Sequence, residues 1–148
     1  MSGERLILAF DFGTRRIGVA VGNELIRRAT ALEPLPARDG IPDWAVVTRL
    51  VEEWRPDLFV VGLPIDNDGS ETTMSTRARK FGKRLYGRYG KPWEMVDERG
   101  STREAKSIAR ERGHRGNYRE ESVDGLAAQL ILESWFAAGE GLPARPLG

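Results

Sequence analysis

The chain has 148 residues, 40% of them hydrophobic and 30% charged, and a formal net charge of +1. That length suits one compact domain with a core that needs no staples, and the composition is that of a soluble globular protein. The absence of cysteine excludes a disulfide framework, cysteine zinc sites and thiol catalysis. A lone histidine, His114, cannot by itself supply an acid–base pair. Residues 1–5 carry no cleavable signal pattern, and the apolar run Leu6–Phe10 is too short to cross a bilayer, so the expected location is the cytoplasm.

Taken in chain order, Leu6–Phe10 is continuously apolar, as in a strand buried on both faces. A turn over Phe12–Arg16 follows, and Ile17–Gly22 reads as the hairpin partner. A weakly patterned third strand is expected around Arg27–Leu35. Asp43 is positioned to cap a helix carrying Trp44, Val47, Leu50, Val51 and Trp54 on one face, which Pro56 ends. Leu58–Leu63 is the next buried strand, leading into a loop from Pro64 to Ser70. The spacing of Met74, Ala78, Phe81, Leu85 and Tyr89 predicts a long helix. Trp93–Asp97 is a short strand. Ser101 and Glu104 form a capping-box signature for another helix, and the Gly- and Arg-rich stretch 113–118 breaks it. The last helix is predicted to bury Val123, Leu126, Ala127, Leu130, Ile131 and Ser134. Residues 139–148, with three glycines and two prolines, read as a disordered tail after a domain spanning 1–138. Strands first, then strand and helix in alternation, then helices, argue for a mixed α/β sheet flanked by helices in a single domain.

Three acidic positions fall where packing gives them no reason to be. Asp11 closes an apolar strand, where a carboxylate costs desolvation unless it is paired or binds a metal. Gly13 and Gly18 after it allow another group to approach the backbone closely. Asp97-Glu98 ends a second strand, and because side chains alternate only one of the two faces the same way as Asp11. Asp124 lies near the start of the last helix, about 100° round from Val123, at the margin of the buried stripe. Each has a plain alternative: a turn acceptor, a partner for Arg99 and Arg103, or an acid favoured by a helix N-terminus. Three carboxylates from separate elements, without cysteine, suit a hard oxygen-ligated ion, Mg²⁺ or Mn²⁺.

Positive charge is segregated. Between Glu71 and Glu94 the chain carries Arg77, Arg79, Lys80, Lys83, Arg84, Arg88 and Lys91 with no acid among them. A second cluster holds Arg110, Arg112, His114, Arg115 and Arg119. Basic patches beside a carboxylate cluster point to a polyanion and to metal-assisted phosphodiester hydrolysis.

These motifs resemble a known family. Ala9-Phe10-Asp11-Phe12-Gly13-Thr14-Arg15-Arg16-Ile17-Gly18-Val19-Ala20, then Val61-Gly62-Leu63-Pro64 leading to Asp68-Gly69, then Asp97-Glu98-Arg99 with Ser101-Thr102, and finally Asp124 with Ala127-Ala128, are similar to the YqgF family of Holliday junction resolvases and pre-16S rRNA nucleases. The likeness runs nearly to Phe136. It implies an RNase H-like mixed five-stranded sheet flanked by helices, and a nuclease whose acidic positions fall on Asp11, Glu98 and Asp124. It also implies that Arg99 contacts phosphate or orients Glu98, with Thr102 and Arg103 near the same helix start. Gly100 stands where the family usually has a bulkier apolar residue. The candidate nucleic-acid contacts are Arg15, Arg16, Arg77, Lys80, Arg84, Arg99, Arg103, Arg115 and Arg119.

The favoured reading is a nuclease acting on the 5′ end of precursor 16S rRNA. A four-way junction needs a symmetric pair of active sites, and no apolar stripe is left over for a dimer interface. Besides a dimeric junction resolvase, two alternatives stand. One is a nucleic-acid-binding module without catalysis. The other is an ATPase, since Asp11-Phe12-Gly13-Thr14 with Ile17-Gly18-Val19-Ala20 also looks like the first phosphate motif of the actin, Hsp70 and sugar-kinase fold.

Overall fold

A computed structural model describes residues 5–66, 68–97 and 120–139, with side chains of the last segment described over 125–137. Its sheet has the strand order β4-β3-β2-β1-β5-β6. Strands β1 (Leu6–Asp11), β2 (Arg16–Asn23) and β3 (Arg28–Arg38) form an antiparallel meander, while β5 (Leu58–Leu63) and β6 (Trp93–Asp97) join β1 in parallel. The sheet is mixed as expected, with one strand more than the five anticipated. The sixth, β4 (Ile41–Pro42), pairs with Ala37 and Arg38. It follows a two-residue turn in which Asp39 and Gly40 both have positive φ, 54° and 82°. Asp-Gly is the usual signal for such a tight hairpin, and a two-residue partner strand is too short to carry a periodicity.

Helix α1 (Trp44–Trp54) starts where Asp43 accepts a hydrogen bond from the Ala45 amide at 3.0 Å, and ends with Arg55 in the left-handed region ahead of Pro56. Helix α2 (Thr73–Tyr89) has a capping box made by Thr72 and Ser75. Ser75 is fully buried. Its hydroxyl accepts from the Thr72 amide and donates to the Pro64 carbonyl, so no polar atom is stranded. Right-handed crossovers from β1 to β5 and from β5 to β6 step in the same direction, which puts α1 and α2 on one face of the sheet. Helix α3 (Glu120–Gly139) covers the other.

Two hydrophobic layers result. On the α1–α2 side Leu8, Phe10, Phe12, Val19, Phe59 and Val61 meet Val47, Val51, Ala78, Phe81 and Leu85. On the α3 side Ile7, Ala9, Ala20, Ala29, Leu58 and Val60 meet Ala128, Ile131, Leu132, Trp135 and Phe136. Of the stripe expected for the last helix, Leu126, Ala127 and Ile131 are buried, and the layer adds Ala128, Leu132, Trp135 and Phe136. Ile131 faces the sheet, but Leu126 and Ala127 form a separate small cluster with Leu130, and Ser134 is only half-buried. Helix α3 is apolar on nearly every side, so periodicity alone could not choose the face that docks. The expected helix from Ser101, the break at 113–118 and residues 140–148 lie outside the described residues.

Candidate nuclease site at the strand ends

The site builds outward from Asp11. It is the last residue of β1 and is half-buried. Alternation puts it on the same face as Ile7 and Ala9, the side covered by α3. Its cross-strand partner on β2 is Gly18, and one step beyond the Phe10–Val61 pair Gly62 stands beside it on β5. No side chain therefore rises on either neighbouring strand at Asp11. The carboxylate ends a buried strand between two glycine neighbours. The sequence reading marked Gly18 but passed over Gly62, whose role follows only from the register of β1 against β5.

The turn that follows Asp11 is held rigidly. A Cβ placed on Gly13 would come within 2.4 Å of the Arg16 carbonyl oxygen, so only glycine fits. The carbonyls of Thr14 and Arg15 accept from the Gly40 and Ala37 amides at 2.9 and 2.8 Å, which ties the turn to the β3–β4 hairpin. Arg15 is exposed and Arg16 half-buried. Both line a cleft of about 1000 Å³ between the ends of β2 and β3 and helix α1, together with Arg49, Glu33, Glu53 and Trp54.

Because β1, β5 and β6 are parallel, their C-terminal ends lie along one edge. Asp97 ends β6 there, exposed, with the parity of Trp93 and Met95. Those two residues pack in the α1–α2 layer, whereas Val96 packs in the α3 layer. Asp97 is thus on the opposite face from Asp11. The next residue, Glu98, lies outside the described residues, as do Arg99, Thr102, Arg103, Arg115 and Arg119.

Helix α3 runs antiparallel to β1. Its C-terminal half sits over the start of the sheet, where the Trp135 indole Nε1 donates to Glu94 at 2.8 Å and Arg27 donates to the Phe136 carbonyl at 2.8 Å. Its N-terminal half reaches toward the Asp11 end, where a Cβ on Gly125 would lie 3.1 Å from that of Ala31 on β3. Ala31 pairs with Ala20, which pairs with Ala9. Asp124 precedes Gly125 in the backbone of α3, and its side chain is outside the described residues. Among the described residues no group of three metal-ligating side chains occurs, and the description includes the side chain of only one of the three predicted ligands.

The loop from Pro64 to Thr72 occupies the same edge. Asp68 accepts from the Ser70 amide and hydroxyl at 2.9 and 2.6 Å. Glu71 is bonded by the Arg79 guanidinium, which holds its carboxyl below the usual carboxylate range. Arg77 lies at the N-terminal end of α2 and pairs with Asp39 at 3.0 Å. Lys80 and Arg84 follow it along the helix, on the side of the sheet away from the face that carries Asp11. No described helix is long and apolar enough to cross a membrane.

A family model described as RuvX, Holliday junction resolvase, matches residues 5–138. A protein of Chromohalobacter salexigens named "Putative pre-16S rRNA nuclease" is 69% identical over 145 residues, covering 98% of each chain. One of the same name from Saccharophagus degradans is 53% identical over 130 residues, covering 88% of this chain and 92% of the relative. Among solved structures, Thermus thermophilus RuvC in complex with a Holliday junction substrate superposes with a TM-score of 0.58 at 18% identity, covering 93% of this chain and 96% of that one. The fowlpox virus Holliday junction resolvase gives 0.55 at 11% identity, covering 90% and 98%. At these identities the likeness is one of fold, an RNase H-like mixed sheet flanked by helices.

Proposed function

The chain belongs to the RuvX Holliday junction resolvase family, and from that membership we propose that it is a divalent-metal-dependent nuclease, cytoplasmic, that trims precursor 16S rRNA. The observation that carries the reading is the setting of Asp11: a half-buried carboxylate at the end of an otherwise apolar strand, flanked by Gly18 and Gly62. The names of the two relatives given above support RNA as the substrate. Asp11, Glu98 and Asp124 are the proposed metal ligands and catalytic carboxylates. Two further features favour this set over one built with Asp97. Asp97 has the wrong facial parity, and the helical stripe Ala128, Ile131, Trp135, continued one turn toward the N-terminus, falls on position 124.

An all-oxygen donor set fits Mg²⁺ or Mn²⁺. Such an ion, when bound, supplies an activated water at neutral pH and offsets charge on the leaving oxygen. The chain's own groups do the rest. Asp11 would hold the ion and orient what binds there. Arg15 and Arg16, on the rigid turn next to it, are proposed to hold the flanking phosphates. Arg99, Arg103, Arg115 and Arg119 are proposed to extend that contact. The proposed domain spans 1–138, with 139–148 as a tail.

The family description favours a second reading, a four-way junction resolvase working as a dimer. One assay separates the two. Purified protein with Mg²⁺ or Mn²⁺ is incubated with single-stranded RNA, a precursor 16S rRNA end and a four-way DNA junction, with and without chelator. Chelator-sensitive cleavage of the rRNA end is the expected result. Symmetric cuts in the junction alone would favour the resolvase, and metal-independent binding with no cleavage would leave a non-catalytic binding module.

A further inference from the structure

The outer face of α2 is a second feature that the strand-end site does not use. Arg77, Lys80, Arg84 and Arg88 fall at steps of three and four along it, so they share one stripe about 16.5 Å long from first to last. Lys80, Arg84 and Arg88 are exposed. With Lys83, Trp44 and Gly87 they line an open groove of about 620 Å³ that contains no acidic residue. No carboxylate pairs with Lys80, Lys83, Arg84 or Arg88 among the described residues. Arg79, on another side of the helix, is already neutralised by Glu71.

Two details make this more than a solvated helix face. The Arg88 guanidinium lies 4.2 Å from the Trp44 ring centroid, and Trp44 is itself stacked on the buried Phe81 at 5.9 Å. A long, flexible cation is thereby held in place before any ligand arrives, which lowers the entropic cost of using it. The groove floor is Gly87, and a Cβ built there would meet nothing within 4 Å. Glycine inside an exposed helix turn costs stability relative to alanine, and here neither backbone conformation nor packing requires it. What it provides is an unobstructed path between Lys83, Arg84 and Arg88.

We propose that this face of α2 is a phosphate-backbone track that holds a stretch of the nucleic-acid substrate away from the cleavage site. The track lies on the face of the sheet opposite Asp11, and it begins at the same edge, since Arg77 pairs with Asp39 beside Phe12 and Gly40. Substrate leaving the strand-end site past the Phe12–Arg15 turn passes the Arg77–Asp39 pair, then meets Lys80 first and Arg88 last. The chemistry recognised is a run of phosphodiesters, which single-stranded RNA and a DNA arm both offer. This inference deepens the nuclease reading and rests on it for the identity of the ligand.

Binding is the test, measured on full-length Asp11→Asn protein in chelator so that neither cleavage nor metal contributes. Fluorescence anisotropy is followed over a salt series with single-stranded RNA long enough to span α2 and, separately, with a four-way DNA junction. Lys80→Gln/Arg84→Gln removes two contacts and should weaken RNA binding about tenfold or more. It should also lower the salt slope by roughly 1.4, at about 0.7 per phosphate on a single strand. Gly87→Glu, which removes no cation and clashes with nothing, should weaken binding well beyond Gly87→Gln. Arg28→Gln, a cation removed at the far end of the sheet, should leave the slope unchanged. The ligand with the larger loss identifies what the track holds. Equal slopes for all variants with both ligands would overturn the proposal, even if the wild-type protein cleaves. No cleavage of any substrate by the wild-type protein with Mg²⁺ or Mn²⁺, alongside an intact α2-dependent slope, would overturn the nuclease reading instead.

Discussion

The two faces of the sheet solve the same packing problem with opposite distributions of volume. Toward α1 and α2 the strands present large residues, Phe10, Phe12, Ile17, Leu35 and Phe59, and α2 answers with Ala78 and Gly82 around Phe81. Toward α3 strands β1–β3 present Ala9, Ala20, Ala29 and Gly22 beside Ile7, β5 adds Leu58 and Val60, and the helix carries the aromatic bulk in Trp135 and Phe136 with Ile131 and Leu132. Close packing demands that one surface fill what the other leaves. The small-residue face runs on to the strand ends, where Gly18 and Gly62 stand beside Asp11. Space for a ligand arises on the face where the sheet is thin, and the thick face is free to carry charge on its outer helices.

This difference can be broken from either side. The largest effect is expected in the aromatic layer, where Phe10 is fully buried and meets Phe59 and Phe81 at ring-centroid distances of 6.0 and 5.3 Å. Phe10→Ala should cost about 3–5 kcal/mol in chemical denaturation. On the thin face the informative change is in the other direction. Ala20→Leu should cost about 1–3 kcal/mol by overpacking against α3, and a neutral result would show that α3 is loosely seated.

A smaller effect is expected at Gly82, where an added Cβ would come within 2.2 Å of the Trp93 ring. The gain in helix propensity from Gly82→Ala, about 1 kcal/mol, offsets part of an overpacking cost of about 1–3 kcal/mol. The variant should melt somewhat below the wild type rather than above it. The smallest effect is at the surface, where Arg5 bonds Glu24 at 2.8 Å and holds its carboxyl below the usual range. A depressed folded-state pKa contributes stability above the unfolded value, and the contribution fades as pH falls through the folded one. Arg5→Gln should therefore lower stability at neutral pH by no more than about 0.5 kcal/mol, the pair being solvent-screened. Wild type and variant should converge in acid, which denaturation at two pH values checks.

The same contrast explains how far the sequence could be read. Helices α1 and α2 are amphipathic, so their buried faces follow from periodicity, and the start of α1 follows from Asp43, while the Thr72–Ser75 cap of α2 is a finding of the structure. Helix α3 has little hydrophobic asymmetry, so the sequence marks Leu126, Ala127 and Ile131 as buried but not Leu132, Trp135 and Phe136, which contact with Ala9, Ala20 and Ala29 selects. Asp11 stood out because one carboxylate ended a run of apolar residues. Its glycine flank at Gly62 depends on strand register, which no local pattern encodes. The cationic run of α2 was visible as composition. That it lies across the sheet from Asp11 follows from crossover handedness, and the Trp44–Arg88 contact from tertiary packing.

The central claim is that the Asp11 carboxylate is part of a hydrolytic centre and not a turn acceptor. The most direct test is single-turnover cleavage of a precursor 16S rRNA end by wild type and Asp11→Asn in Mn²⁺, with thermal unfolding measured on both. Asparagine keeps the size and the hydrogen-bond acceptor but removes the charge. A loss of about 10³-fold or more in rate, corresponding to several kcal/mol of transition-state stabilisation, with an unchanged melting temperature, is the expected result. Cleavage at the wild-type rate, or a rate loss accompanied by an equal loss of fold, would contradict it.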